Sequence, residues 1–165
     1  MSRDVLQPSR FLGILVLGLS LLSWIYALSA NAATDFSGWF EGASGYEKAL
    51  AQHKSSKKPL FVYVYAPWCP YCQQFDENVL SSAYTRSALQ NYLKVRLYPK
   101  TGPKERTIAD QLGVEGYPSL YVKFANASRY QEVSRSVRLG GKTVLAGPTE
   151  FVQGLRKLAP DDSCC

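Results

Sequence analysis

The hydrophobic pattern changes character several times along the chain. From Phe11 to Leu28 apolar residues run almost unbroken, interrupted only by small residues and Ser. Further on, Tyr46, Ala49, Leu50 and His53 recur at helical spacing. Ser44 predicts the N-cap of that helix and Glu47 its capping-box partner. The stretch "KSSKKP" ends it. Residues 60–66, "LFVYVYA", are a continuous β-branched and aromatic run. The run is too short for a helix core and predicts a strand buried on both faces. After Cys72, "QQFDENVL" returns to helical spacing, with Phe75 and Val79 on one face. Ser81 or Ser82 then caps a further helix through Tyr84, Leu89 and Leu93. Residues 94–98 predict a second strand, "PKTGP" a turn, and Glu105 to Leu112 a helix stopped by Gly113. Residues 118–125, "PSLYVKFA", predict a third strand. "NASR" turns it into an antiparallel partner that ends at "SVRLGG". Pro148 and Thr149 open a last helix through Phe151, Val152, Leu155 and Leu158.

Strands that alternate with helices, followed by a hairpin and a closing helix, predict an α/β fold. Its centre is a mixed β-sheet with helices on both faces. A chain of 165 residues suits a single domain. Residues 44–160 are assigned to that domain, 33–43 to a linker that docks on it, and 161–165 to a flexible tail.

The first apolar run belongs to a different kind of segment. Arg3 and Arg10 precede it, and "SANAA" follows, with Ala30 and Ala32 spaced for cleavage before Ala33. Positive flank, apolar core and small-residue site describe an export signal over residues 1–32. The run is almost long enough to span a bilayer. A cleaved signal peptide and an uncleaved membrane anchor through residues 11–30 therefore both fit. Either places the rest of the chain in a periplasmic or extracellular setting, where disulfides persist. All four cysteines lie in that remainder.

Composition adds little beyond this. With 46% hydrophobic and 19% charged residues the chain reads as globular. The net charge is +6, but the positive residues are scattered, and the densest group, Lys54 to Lys58, is interrupted by Ser55 and Ser56. That group reads as a solvated loop, and no nucleic-acid module is present.

The chemistry concentrates in "APWCPYC", residues 66–72. A C-x-x-C spacing closes a redox disulfide, supplies half a zinc site, or arises by chance. At a strand-to-helix junction, Cys69 falls in the first helical turn, where free backbone N–H groups and the helix dipole favour a thiolate. Pro70 suits that turn because its missing N–H costs nothing there. Cys72 is near enough to close a disulfide and to resolve a mixed one. A zinc site needs two further ligands, and the candidates are His53, Cys164 and Cys165. Adjacent cysteines at a chain end do not form a second C-x-x-C knuckle. His53 otherwise reads as a solvated or C-terminal helix residue. Cys164 and Cys165 read as incidental tail thiols or as a second pair that relays electrons or crosslinks chains.

These residues resemble the thioredoxin superfamily in three places: "PLFVYVYAPWCPYC", "LGVEGYPSLYV" at 112–122, and "RLGG" before the terminal helix. The resemblance covers roughly residues 44–158. It implies a thioredoxin-like fold, with Cys69 as nucleophile and Cys72 as resolver of a Cys69–Cys72 redox disulfide. It also implies a cis Pro118 whose loop leaves the backbone of Tyr117 free to pair with a substrate strand. Trp68, Pro70 and Tyr71 would complete the substrate-positioning surface. No metal and no organic cofactor are implied, because the disulfide is itself the redox centre.

The sequence also departs from the family pattern. Pro-Tyr stands between the cysteines where thioredoxins carry Gly-Pro. Tyr63 occupies the position, six residues before Cys69, of the family's buried Asp. A phenol is a poor proton acceptor near neutral pH, so Asp76, four residues after Cys72, becomes a candidate acceptor. Its other reading is an ordinary surface acid. "CQQFDENVLSS" resembles exported reducing domains of thiol-transfer systems. The implied activity is an extracytoplasmic protein thiol–disulfide oxidoreductase with a slight lean to reductase. Its partners would be protein disulfides or dithiols and a redox partner such as a membrane thiol-transfer protein. An oxidase or isomerase of the same fold, and a thioredoxin-like binding or assembly factor, are the alternatives.

Overall fold

The computed structural model describes residues 34–159. The segment expected to be exported or anchored, and the Cys164–Cys165 pair, lie outside them. Five strands form one sheet. β1 (Phe40–Glu41), β2 (Leu60–Val64), β3 (Leu93–Leu97), β4 (Ser119–Lys123) and β5 (Gln131–Glu132) stand in the order β1-β3-β2-β4-β5. β3 runs parallel to β1 and β2, whereas β4 is antiparallel to β2 and β5. The sheet is therefore mixed, with β2 at its centre. Among the described residues no helix is long and apolar enough to cross a membrane.

Alternation along β2 separates two cores. Leu60, Val62 and Val64 point to one face. There they meet Ala43 and Ala49 of α1 (Gly42–Ser56) and Ile108 and Ala109 of α4 (Pro103–Leu112). Phe61 and Tyr63 point to the other face. They pack there with Phe75 of α2 (Pro70–Phe75), Val79 in a π-helical turn over Asp76–Leu80, and Phe151, Val152 and Leu155 of α5 (Pro148–Leu158). Every residue of β2 is buried, because helices cover both faces of the strand. A short α3 (Ala83–Ala88) is capped by Ser82, whose side chain accepts the Thr85 N–H at 3.0 Å.

Three expectations need correction. Residues 36–41 are part of the fold rather than a linker: Phe40 and Glu41 pair with Val95 and Arg96, and Phe36 and Trp39 pack on the core. The first helix starts at Gly42, not after a Ser44 cap. A Cβ on Gly45 would sit 2.9 Å from the Phe40 carbonyl carbon, so the helix crosses closely over β1 and begins with it. Its Ala43 N–H donates to the Glu105 side chain at 3.0 Å, a cap supplied from α4. Glu47 pairs with Lys104 at 3.7 Å instead of closing a capping box.

The third correction concerns "SVRLGG". The antiparallel partner that follows β4 in the chain is only Gln131–Glu132. β6 (Ser136–Leu139) and β7 (Lys142–Leu145) form a separate two-stranded hairpin. Gly140 and Gly141 make its turn at φ 56° and 79°. Two successive left-handed residues match the twist of a tight hairpin, and glycine adopts them without strain. The local turn therefore takes this strand away from the main sheet.

Candidate active site

The central strand delivers its chain directly to the motif. Beyond Val64, the Tyr65 N–H donates to Leu97 O, and the Cys69 N–H to Ala66 O. Cys69 is the N-cap of α2, extended at φ −84° and ψ 114°, and Pro70 takes the first helical position. The Cys72 N–H lies 3.3 Å from Cys69 Sγ, and the Cys69 carbonyl accepts N–H bonds from Cys72 and Gln73 at 3.1 Å. A sulfur that accepts a helix-terminal N–H holds negative charge better than one left without donors. The two sulfurs are free thiols in this structure.

Around Cys69 the protein presents a surface. The Cys69 thiol donates to the Tyr117 carbonyl at 3.6 Å, and the Tyr117–Pro118 peptide bond is cis. Trp68 and Tyr71 are 60% and 62% exposed, unusual for large aromatic side chains. The Trp68 ring meets Tyr117 edge-on with centroids 6.0 Å apart, and its Nε1 donates to the Tyr98 hydroxyl at 3.3 Å. Beside them lies an open groove of about 340 Å³, lined by Tyr71, Tyr117, Pro118, Arg135, Val144 and Leu145. The hairpin supplies one wall. Arg135 ties the hairpin base to the proline loop, since its Nη1 donates to Pro118 O at 2.8 Å and its carbonyl accepts the Ala146 N–H at 2.9 Å.

Beneath Cys72 the protein is closed. Cys72 is 1% exposed, and burial, with a hydrogen bond to Cys69, pushes its thiol up to about 12. Tyr63 is fully buried, with its hydroxyl donating to the Cys72 carbonyl at 3.4 Å. It stacks on Tyr65 with centroids 5.5 Å apart and tilts against Phe75 at 6.0 Å. Asp76 is not a plain surface acid. Its Oδ1 is buried and has no partner among the described residues. Burial raises its carboxyl above the ordinary range, and a hydrogen bond from Tyr63 and the charge of Arg96 partly offset this. Arg96 lies between the rings of Phe36 and Tyr65, 3.6 and 4.2 Å from their centroids, and pairs with Glu41 at 3.3 Å.

The structure thus brings together Trp68, Cys69, Pro70, Tyr71, Cys72, Asp76, Tyr117 and Pro118. Sequence reasoning missed Tyr98, Arg96 and Arg135, and it treated Tyr63 only as a lost acid. Period-two alternation along β2 already placed Tyr63 on one face, but the identity of that face needed the fold. His53 is buried at 4% exposure rather than solvated. Its Nδ1 donates to the Lys58 carbonyl at 2.7 Å and so holds the end of α1. Among the described residues no group of three His, Cys, Asp or Glu side chains is placed to hold a metal.

Comparison with known proteins places this site in a family. Residues 41–124, just over half of the chain, match the model of the family described as thioredoxin-like. The chain belongs to the thioredoxin-like family. It is 35% identical over 81 residues to protein disulfide-isomerase of Gallus gallus, covering 47% of this chain and 14% of that protein. It is 29% identical over 92 residues to the thiol:disulfide interchange protein DsbD of Klebsiella pneumoniae, covering 55% of this chain and 15% of that protein. The matched stretch is a minor part of both. A thioredoxin from Thermus thermophilus superposes with a TM-score of 0.56 at 23% identity, over 73% of this chain and 87% of that one, a likeness of fold.

Proposed function

We propose that this chain is a thiol–disulfide oxidoreductase that exchanges disulfides with protein substrates outside the cytosol. The observation that carries the reading is the asymmetry of the two sulfurs. Cys69, though only 5% exposed, accepts a helix N–H and rests against Tyr117, which lines the groove, while Cys72 is 1% exposed and its thiol is pushed up to about 12.

In the reducing direction Cys69 thiolate attacks one sulfur of a substrate disulfide. The substrate S–S bond breaks, a mixed disulfide to Cys69 forms, and the first substrate sulfur leaves and takes a proton. Cys72 then loses its proton and attacks Cys69 Sγ. The Cys69–Cys72 bond forms and the second substrate sulfur departs as a thiolate. The substrate gains two electrons and the dithiol loses two, to be restored by a reduced dithiol partner. Trp68, Tyr71, Tyr117 and Pro118, with Pro70 at the helix start, position the substrate segment in the groove, and Asp76 accepts the Cys72 proton.

The N-terminal pattern of residues 1–32 supports export, with retention in the membrane if that segment is not cleaved. The likeness to an interchange protein supports a membrane thiol-transfer partner. Replacing Cys69 with Ser should abolish reduction of insulin disulfides; retained activity sinks the enzyme reading in favour of a binding factor. A Cys69–Cys72 reduction potential near the roughly −120 mV of a strong oxidant would reverse the direction.

A further inference from the structure

The groove beside Cys69 has two walls of different origin. One is the loop of Tyr117 and Pro118 with Tyr71, which the proposed function already uses. The other is β7, which contributes Thr143, Val144 and Leu145. Side chains alternate along a strand, so three consecutive lining residues mean that β7 turns its edge to the groove as well as a face. That edge has no partner strand, because β7 pairs with β6 alone. We propose that the free edge of β7 binds an extended segment of the substrate protein, next to the cysteine under attack, as an added strand.

The hairpin register sets which groups are on offer. Leu139 and Lys142 flank the Gly140–Gly141 turn. Across a two-residue turn that pair exchanges hydrogen bonds, and bonded and non-bonded pairs then alternate. Val137 and Val144 therefore bond to each other, whereas Arg138 with Thr143 and Ser136 with Leu145 do not. The Ala146 N–H donates to Arg135 O at 2.9 Å, the next bonded position, which agrees with this phase. Thr143 and Leu145 thus direct their N–H and C=O groups away from β6. No other backbone group among the described residues pairs with them. Thr143 and Val144 are exposed, so the edge is open to a partner.

This inference rests on the redox reading above, and continuity with the redox pair selects the occupant. The Cys69 thiol donates to the Tyr117 carbonyl at 3.6 Å, and Tyr117 lines the same groove as β7. Chain that flanks a cysteine brought to Cys69 therefore enters the groove that β7 walls. Arg135 joins the two walls, with its side chain on Pro118 O and its carbonyl on the Ala146 N–H. Strand addition takes its affinity from backbone hydrogen bonds rather than from one side-chain sequence. The substrate class is a cysteine in an extended, unpaired stretch of chain, as in an unfolded or loosely folded protein. A cysteine within a helix, or a small thiol, has no strand to add.

The test uses the full chain and compares the reduction of bis(2-hydroxyethyl) disulfide with that of an unstructured cysteine peptide joined through sulfur to 2-mercaptoethanol. Flanking residues are added to the peptide stepwise on either side. On one side they should raise kcat/KM by about 10-fold, and N-methylation of alternate backbone amides there should each cost about 3–10-fold, the loss of a hydrogen bond. Thr143→Pro removes an N–H that faces away from β6, a place where an edge strand tolerates proline. It should remove most of the gain from the flanking residues. No gain with length, a gain that N-methylation leaves untouched, or a gain intact in Thr143→Pro overturns the docking. The N-methyl series runs on the unaltered protein, so it decides the matter even if the variant folds poorly. A dimer that Thr143→Pro dissociates gives the edge to a second copy and also overturns the proposal. Reduction of the small disulfide with no dependence on flanking length rejects the docking alone. Failure to reduce any of these disulfides rejects the redox reading, and the docking with it.

Discussion

Cys69 and Cys72 lie three residues apart in one buried cluster, yet the regions on either side of them differ. Above Cys69 are exposed aromatics, a groove, and a loop tied to a hairpin by Arg135. Below Cys72 are a buried phenol, a half-buried carboxyl with one buried oxygen, and an arginine held between two rings. On the proposed reading the first region meets a protein substrate and the second handles the proton of the resolving thiol. The difference shows how a short motif divides its labour. The proposed recognition surface sits on loops, whereas Tyr63 and Cys72 sit on faces of β2 and α2 that look inward.

The sharpest way to break the comparison is to exchange each sulfur for oxygen. Cys72→Ser should accumulate a covalent adduct between Cys69 and a substrate cysteine, seen as a gel shift lost on reduction. Cys69→Ser should form none. Equal trapping by both variants would mean that the two environments do not sort the roles. Next in size is Asp76→Asn, expected to slow resolution by about 10²-fold at neutral pH while Cys69 reacts at its usual rate with a small disulfide.

Asp76 also makes a prediction on stability, with a definite sign. Its folded-state carboxyl is raised by burial above the unfolded value of 3.8, so within that window the folded chain holds more protons than the unfolded one. Stability must fall there as the acid ionises. Asp76→Asn should therefore melt higher than the parent at pH 8, with the gap closing near about pH 3. A gap that widens toward acid pH contradicts the buried, raised carboxyl.

Smaller effects belong to the upper region. Arg135→Gln removes the guanidinium donor to Pro118 O and should raise KM for a protein disulfide about 3–10-fold, the loss of ~1 kcal/mol. Steady-state kinetics with kcat little changed would locate the effect in substrate positioning. Smallest is charge reversal of the hairpin through Arg138→Glu with Lys142→Glu. A change of about 2–3-fold in kcat/KM for acidic protein substrates is expected, fading at high salt, with none for a small disulfide.

Much of the lower region was legible in the sequence. The unbroken run of β2 announced a central strand, and its continuation into WCPYC placed Cys69 at a helix start. Asp76 was legible as a position four residues beyond Cys72, but whether it met solvent or core was not. Helical spacing gives direction around an axis, and only the packing of Phe75 and Val79 against Phe61 and Tyr63 turned Asp76 inward. Arg135 was invisible because its partner, Pro118, is 17 residues away and joined through the hairpin base. β1 was missed because two residues carry no period, and its pairing with β3 spans more than fifty residues of chain.

Local chemistry alone determined the central strands and most helices, the family resemblance and the C-x-x-C pair proposed to react. Those rest on side-chain shape, turn propensity and spacing, which act over a few residues. Tertiary structure decided which face of β2 lies under Cys72, that Tyr63 is buried there, and that a hairpin walls the groove near Cys69. Such outcomes depend on which buried surfaces find each other, and burial is a property of the whole fold rather than of any stretch of chain.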